Sequence, residues 1–148
     1  MNRKSCVYVI PFKINNWQLP IRVQVSYARD YSEKMKLNFS LPKSELLFSR
    51  KYNTLEVLLK KGYSEFIVFN EILLAHKNSL TILKLWSKNI KSNKLRKPLF
   101  HFTYSIEVID IDELIFRIER IIRNKKYAMS SQTLEILRSD NQIIKKTN

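Results

Sequence analysis

Glu107, Asp110 and Asp112 are the acids whose type and spacing come nearest to a divalent-ion site, and Lys97 and His101 lie close enough in sequence to assist a metal-dependent nuclease. The same acids have a plainer use. Asp112, with Asp110 beside it, opens the run Leu114, Ile115, Ile118, Ile121 and Ile122, which closes on Arg123, Lys125 and Lys126. Acids at the start and cations at the end complement a helix macrodipole, so capping accounts for them. His76 and His101 fall on separate segments with no neighbouring nucleophile, which reads as polar filler rather than as a base. Cys6 is the only cysteine, so neither an internal disulfide nor a thiolate zinc site can be assembled. No Walker loop, dinucleotide fingerprint or metal-ligand spacing occurs, and a single glycine leaves little backbone for phosphate-cradling loops. We therefore assign no catalytic residue, no metal ligand and no cofactor.

The strongest chemical signal is charge. The net charge is +14 on 148 residues. Between Glu71 and Glu107 stand Lys77, Lys84, Lys88, Lys91, Lys94, Arg96 and Lys97 with no carboxylate, whereas residues 107–148 carry eight cations against seven acids. An exposed helix ordinarily places Glu four residues before a cation, as Glu113 and Arg117 do here, and the stretch around residue 88 does not. On a helix with 100° per residue, Leu83, Trp86 and Ile90 share one face, while Lys84, Lys88 and Lys91 fall nearly opposite. Lys94, Arg96 and Lys97 continue the charge through a connector stiffened by Pro98. A solvated face on a basic protein has the same composition, but bare like charges are better tolerated when a polyanion lies against them. The expectation is a nucleic-acid-binding protein, a regulator or accessory factor, that holds phosphates with Lys84, Lys88, Lys91, Lys94, Arg96 and Lys97. Lysines dominate, which predicts affinity more than base selectivity. The rival is an adaptor or chaperone-like module that docks an acidic protein partner.

Two DNA-reading arrangements can be weighed against these charges. A helix-turn-helix over Thr54 to Leu73 would turn at Gly62, but its reading helix would present Glu65, Asn70 and Glu71 and no cation. A winged helix, with Leu80 to Lys91 docking and the following strand in the wing, suits the charges better. The polar strand faces carry Gln24, Ser26, Asn38, Ser40, Thr103 and Ser105 while the aromatics alternate inward, which argues against base stacking on an open sheet.

The elements that must position these groups are read from periodicity. Cys6 to Phe12 is apolar and β-branched; Ile21 to Tyr27, Met35 to Leu41 and Phe100 to Val108 alternate with period two. The short links between the first three predict an antiparallel meander, with the last run as a fourth strand. The middle reads as helix: a short one after Pro42, a second over residues 55–61 ended by Gly62, a third over Phe66 to His76 and a fourth from Leu80 to Lys91. A C-terminal helix follows Asp112, then a short helix over Ser131 to Ser139 and a frayed tail from about residue 140. The fold class expected is α+β: an antiparallel sheet of about four strands with helices packed on one face. No linker divides residues 1–148, which read as one domain. The longest apolar run, residues 66–75, is interrupted by Glu71 and is too short for a membrane span. With no cleavage pattern near the start and one thiol, a reducing, cytoplasmic location fits.

Overall fold

The computed structural model describes residues 4–14, 16–47 and 49–124. In chain order the elements are β1 (Ser5–Val9), α1 (Ile21–Lys34), β2 (Lys43–Ser44), α2 (Asn53–Lys60), β3 (Glu65–Val68), a 3₁₀ turn (Glu71–Leu74), α3 (Lys77–Asn93), β4 (Leu99–Phe102), β5 (Glu107–Asp110) and α4 (Ile111–Arg123). The strands form one sheet in the order β2-β1-β3-β4-β5. All neighbours are parallel except β4 and β5, which pair as an antiparallel hairpin.

The α+β mixture stands, and the antiparallel meander does not. The segment Ile21 to Tyr27 is the first turns of α1, not a strand. Its buried residues, Val23, Gln24, Ala28, Tyr31 and Ser32, follow helical spacing, while Ile21 is 40% exposed. Pro20 sets the entry with φ −55°, and its carbonyl accepts from the amides of Val23 and Gln24. Alternation over these seven residues imitates a strand, since i and i+2 lie about 200° apart on a helix; the continuation through Ala28 and Tyr31 gives the buried face its helical spacing. Met35 to Leu41 belongs to no strand, and its alternation buries little, since Leu41 is 83% exposed. The short helix expected after Pro42 is replaced by the two-residue β2 and turns.

Phe66 to His76 contains β3 and the 3₁₀ turn instead of a helix. Phe66, Ile67 and Val68 are all fully or almost fully buried, which is what a central parallel strand covered on both sides requires. The run from Phe100 to Val108 divides into β4 and β5 around a turn in which Ile106 adopts φ 54°. The second, fourth and C-terminal helices correspond to α2, α3 and α4. Residues 131–148, including the last short helix and the tail, lie outside the described residues.

Helices cover both faces, not one. On one side Val7, Val9 and Ile67 pack against Ala28 and Tyr31 of α1. On the other, Cys6, Tyr8, Phe66, Val68, Phe100 and Phe102 meet Leu55 and Leu59 of α2, Leu83 and Ile90 of α3, and Leu114 and Ile118 of α4. Phe66 and Phe100 stack across neighbouring strands at 5.1 Å between centroids. The stripe of α4 is strongly amphipathic, and Asp110 caps it by accepting from the Glu113 amide at 2.9 Å.

Candidate nucleic-acid interface

In a sheet of this connectivity a ligand crevice is expected beyond the carboxyl ends of β1 and β3, where the chain reverses its direction of travel across the sheet. Among the described residues that end is filled. The segment after β1 folds back over it, burying Phe12, Ile14 and Leu19, and an Ile14–Trp17 bridge pins the return. Tyr27, Phe69 and Tyr104 pack ring to ring above β3 and β4. The gap bounded by Trp17, Leu19, Phe69, Ile72 and Leu73 is about 10 Å³, about the least that a single water occupies.

Space opens at the opposite, amino-terminal edge. Because β1, β3 and β4 are parallel, the residues leading into all three meet there. A cavity of about 290 Å³ is lined by Lys4, Tyr63, Trp86, Leu95, Arg96 and Pro98, among others. Lys4 precedes β1, Tyr63 belongs to the α2–β3 link, Trp86 to α3, and the rest to the α3–β4 link. Lys4 Nζ lies 4.3 Å from the centroid of the Tyr63 ring. Gly62, with φ +90°, turns the chain out of α2, and a Cβ placed there would meet nothing within 4 Å.

The six cations expected to bind phosphates are all exposed, but their surroundings differ. Lys84 pairs with Glu119 at 3.4 Å and Lys97 with Asp112 at 2.9 Å, so α4 supplies carboxylates that the local sequence around α3 lacks. Asp112 also accepts from Ser87 Oγ, and its carboxyl is held below the usual range, first by the Lys97 and then by the Ser87 hydrogen bond, with Lys91 adding to the field. Lys88 and Lys94 have no ion pair among the described residues. Lys94 occupies the left-handed C-cap of α3, and Lys91 in the last turn complements the helix dipole. Arg96 reaches the cavity. The block is therefore not one uncompensated strip: its flank along α4 is partly neutralised, and its end curls toward Lys4.

The helix-turn-helix and winged-helix arrangements are both corrected. The residues after Gly62 form β3, so there is no reading helix, and β4 is an interior strand flanked by β3 and β5, not a projecting wing.

The acids do not converge. Glu107 binds Arg117, Asp110 caps α4, and Asp112 takes Lys97 and Ser87. Among the described residues no group of three or more His, Cys, Asp or Glu is arranged to hold a metal ion. His76 caps α3, its Nδ1 accepting from the Asn78 amide at 3.0 Å, and burial with nearby Arg50 and Lys77 lowers its pKa. His101 is buried between Tyr31 Oη at 2.9 Å and Glu65 Oε1 at 3.2 Å, a polar seam joining α1, β4 and β3. The Cys6 thiol is pushed up to about 12, chiefly by burial, and is inert as a nucleophile. Tyr63 and Lys4 were not legible as site residues, because nothing in their local sequence brings them beside Trp86 and Arg96.

No protein-family model matches the chain, and no curated protein is detectably similar to it. Among the described residues no helix is long and apolar enough to cross a membrane.

Proposed function

We propose that this chain binds nucleic acid, gripping phosphates with Lys88, Lys91, Lys94 and Arg96, with Lys84 and Lys97 as secondary contacts. The observation that carries the reading is the placement of these exposed cations along the end of α3 and its link, leading to a cavity that Arg96 shares with Lys4 and two aromatic rings. The ion pairs of Lys84 and Lys97 do not remove them from use. Exposed pairs of this kind are worth about 0–1 kcal/mol, so a phosphate can replace the carboxylate at little cost.

The adaptor alternative draws less support from the sheet. Its edges are the two-residue β2 and the four-residue β5, which carries Glu107 and Asp110, and short charged edges resist strand addition. Leu41, Leu46 and Leu47 beside β2 are exposed and are the surface an apolar partner would use.

The test is a salt titration of binding to random-sequence duplex by fluorescence anisotropy. Four phosphate contacts give a slope of roughly −3.6 in log K against log salt, and K88Q/K91Q/K94Q should lower its magnitude by roughly 2.7. K84Q/K97Q should change it by less. Tight binding that is insensitive to salt, or an acidic polypeptide that binds more tightly than duplex, would refute the reading.

A further inference from the structure

The amino-terminal cavity carries the phosphate reading to a particular form of nucleic acid. Its volume of about 290 Å³ lies at the lower limit of small-molecule sites, of the size that one heterocycle with its sugar fills. Tyr63 and Trp86 stand in its wall with Leu95 and Pro98, and Lys4 and Arg96 bring positive charge to the same space. Flat apolar walls beside cations are what an unpaired nucleotide uses, because every base has a π face and every linkage a phosphate. A duplex keeps its bases paired and stacked inside, so it cannot fill such a cavity without opening. The interior of the sheet offers no competing platform, since Phe66, Phe100 and Phe102 are fully buried and Tyr27 and Tyr104 pack against Phe69.

We infer that this cavity takes one unpaired base of a single-stranded nucleic acid, its ring against Tyr63 and Trp86 and its flanking phosphates on Lys4 and Arg96. The inference rests on the phosphate-binding reading above. Lys4 already covers part of the Tyr63 ring, so the arriving base either stacks on the other face or moves the lysine onto its phosphate. The open space above Gly62 leaves that side of the cavity unobstructed.

The full chain is titrated against three labelled probes of about twelve nucleotides, within the usual span of a single-strand site: a mixed-sequence strand, its blunt duplex, and a strand of equal charge built from abasic sites. The base-bearing strand should bind about 10-fold or more tighter than the abasic one. Y63A should abolish that preference and Y63F retain it, with circular dichroism confirming the fold. In a W17F background, Trp86 fluorescence should be quenched by the base-bearing strand and not by the abasic one. Equal affinity for both strands with unquenched Trp86 would remove the base pocket and leave the phosphate grip standing. Failure to bind any of the three would remove both. Quenching by thymidine monophosphate at the concentration at which the strand acts would overturn the strand in favour of a free nucleotide.

Discussion

Arg117 meets three carboxylates from three segments: Glu107 of β5 at 2.8 Å, Glu71 of the 3₁₀ turn at 3.2 Å, and Glu113 one turn earlier in α4 at 3.2 Å. The partners respond in opposite directions. Hydrogen bonds from Arg117 hold Glu107 below its usual range, whereas burial pushes Glu71 above it despite the same guanidinium. For Glu107 the folded state binds fewer protons than the unfolded one, so its stabilisation is present above the ordinary glutamate pKa and is lost as pH falls through the depressed value. For Glu71 the sign reverses, and stability declines as pH rises from the ordinary value to the raised one. E107Q should therefore cost about 0.5–1 kcal/mol at pH 7 in urea unfolding and flatten the loss of stability below about pH 4. E71Q should stay within about 0.5 kcal/mol of the parent at pH 7, because removing a buried charge offsets the lost ion pair. A larger loss for E71Q than for E107Q would contradict this ranking.

A buried polar side chain ties the start of α1, and another the start of α2, to the segments beside β1 and β2. Gln24 of α1, 1% exposed, accepts from the Ile10 amide at 3.0 Å and donates to the carbonyls of Ile10 and Leu19 at 2.8 and 2.9 Å. It supplies the backbone pairing that β1 loses where the strand ends. Q24A would leave both Ile10 groups without a partner and should lower stability by about 2–4 kcal/mol by chemical denaturation, more than truncation of exposed Gln18. Glu45 does the corresponding work for α2. Its carboxylate accepts from the Thr54 and Leu55 amides at the helix start and from the Tyr8 hydroxyl, while the residue before the helix, Tyr52, is held at φ 57°. E45A should cost about 2–3 kcal/mol and E45Q less, since the amide still accepts one of these bonds. Equal losses for the two variants would show that shape, not the accepted hydrogen bonds, is what α2 requires.

For the whole molecule, a net charge of +14 means that folding gathers like charge into a small volume. Ion pairs such as Lys84–Glu119 and Lys97–Asp112 offset this locally, but both are exposed and contribute little. Self-repulsion therefore outweighs surface pairing, and raising sodium chloride from about 50 to about 500 mM shortens the screening length enough to relieve it. The melting temperature should rise by roughly 2–5 °C over that range. A fall would mean that surface pairs dominate the electrostatics of the fold. The same screening that stabilises the protein should weaken its grip on phosphates, so stability and affinity move in opposite directions with salt.

The sequence by itself determined the elements whose signals are local and long: α3, α4 and the Gly62 stop of α2 follow from apolar spacing, capping acids and one residue able to adopt φ +90°. It also determined the surplus of positive charge. Which segments are strands was not legible, because a short alternating run such as Ile21 to Tyr27 imitates a strand although it opens α1, and a fully buried strand such as β3 has no alternation to display. Whether the cations around α3 lacked acids was a tertiary question, since Glu119 and Asp112 come from a separate helix, 35 and 15 residues beyond Lys84 and Lys97 in sequence. The cavity belongs to tertiary structure alone: Lys4, Tyr63, Trp86 and Arg96 meet only because parallel strands start at the same edge of the sheet, and chain direction is set by non-local pairing that no single stretch encodes.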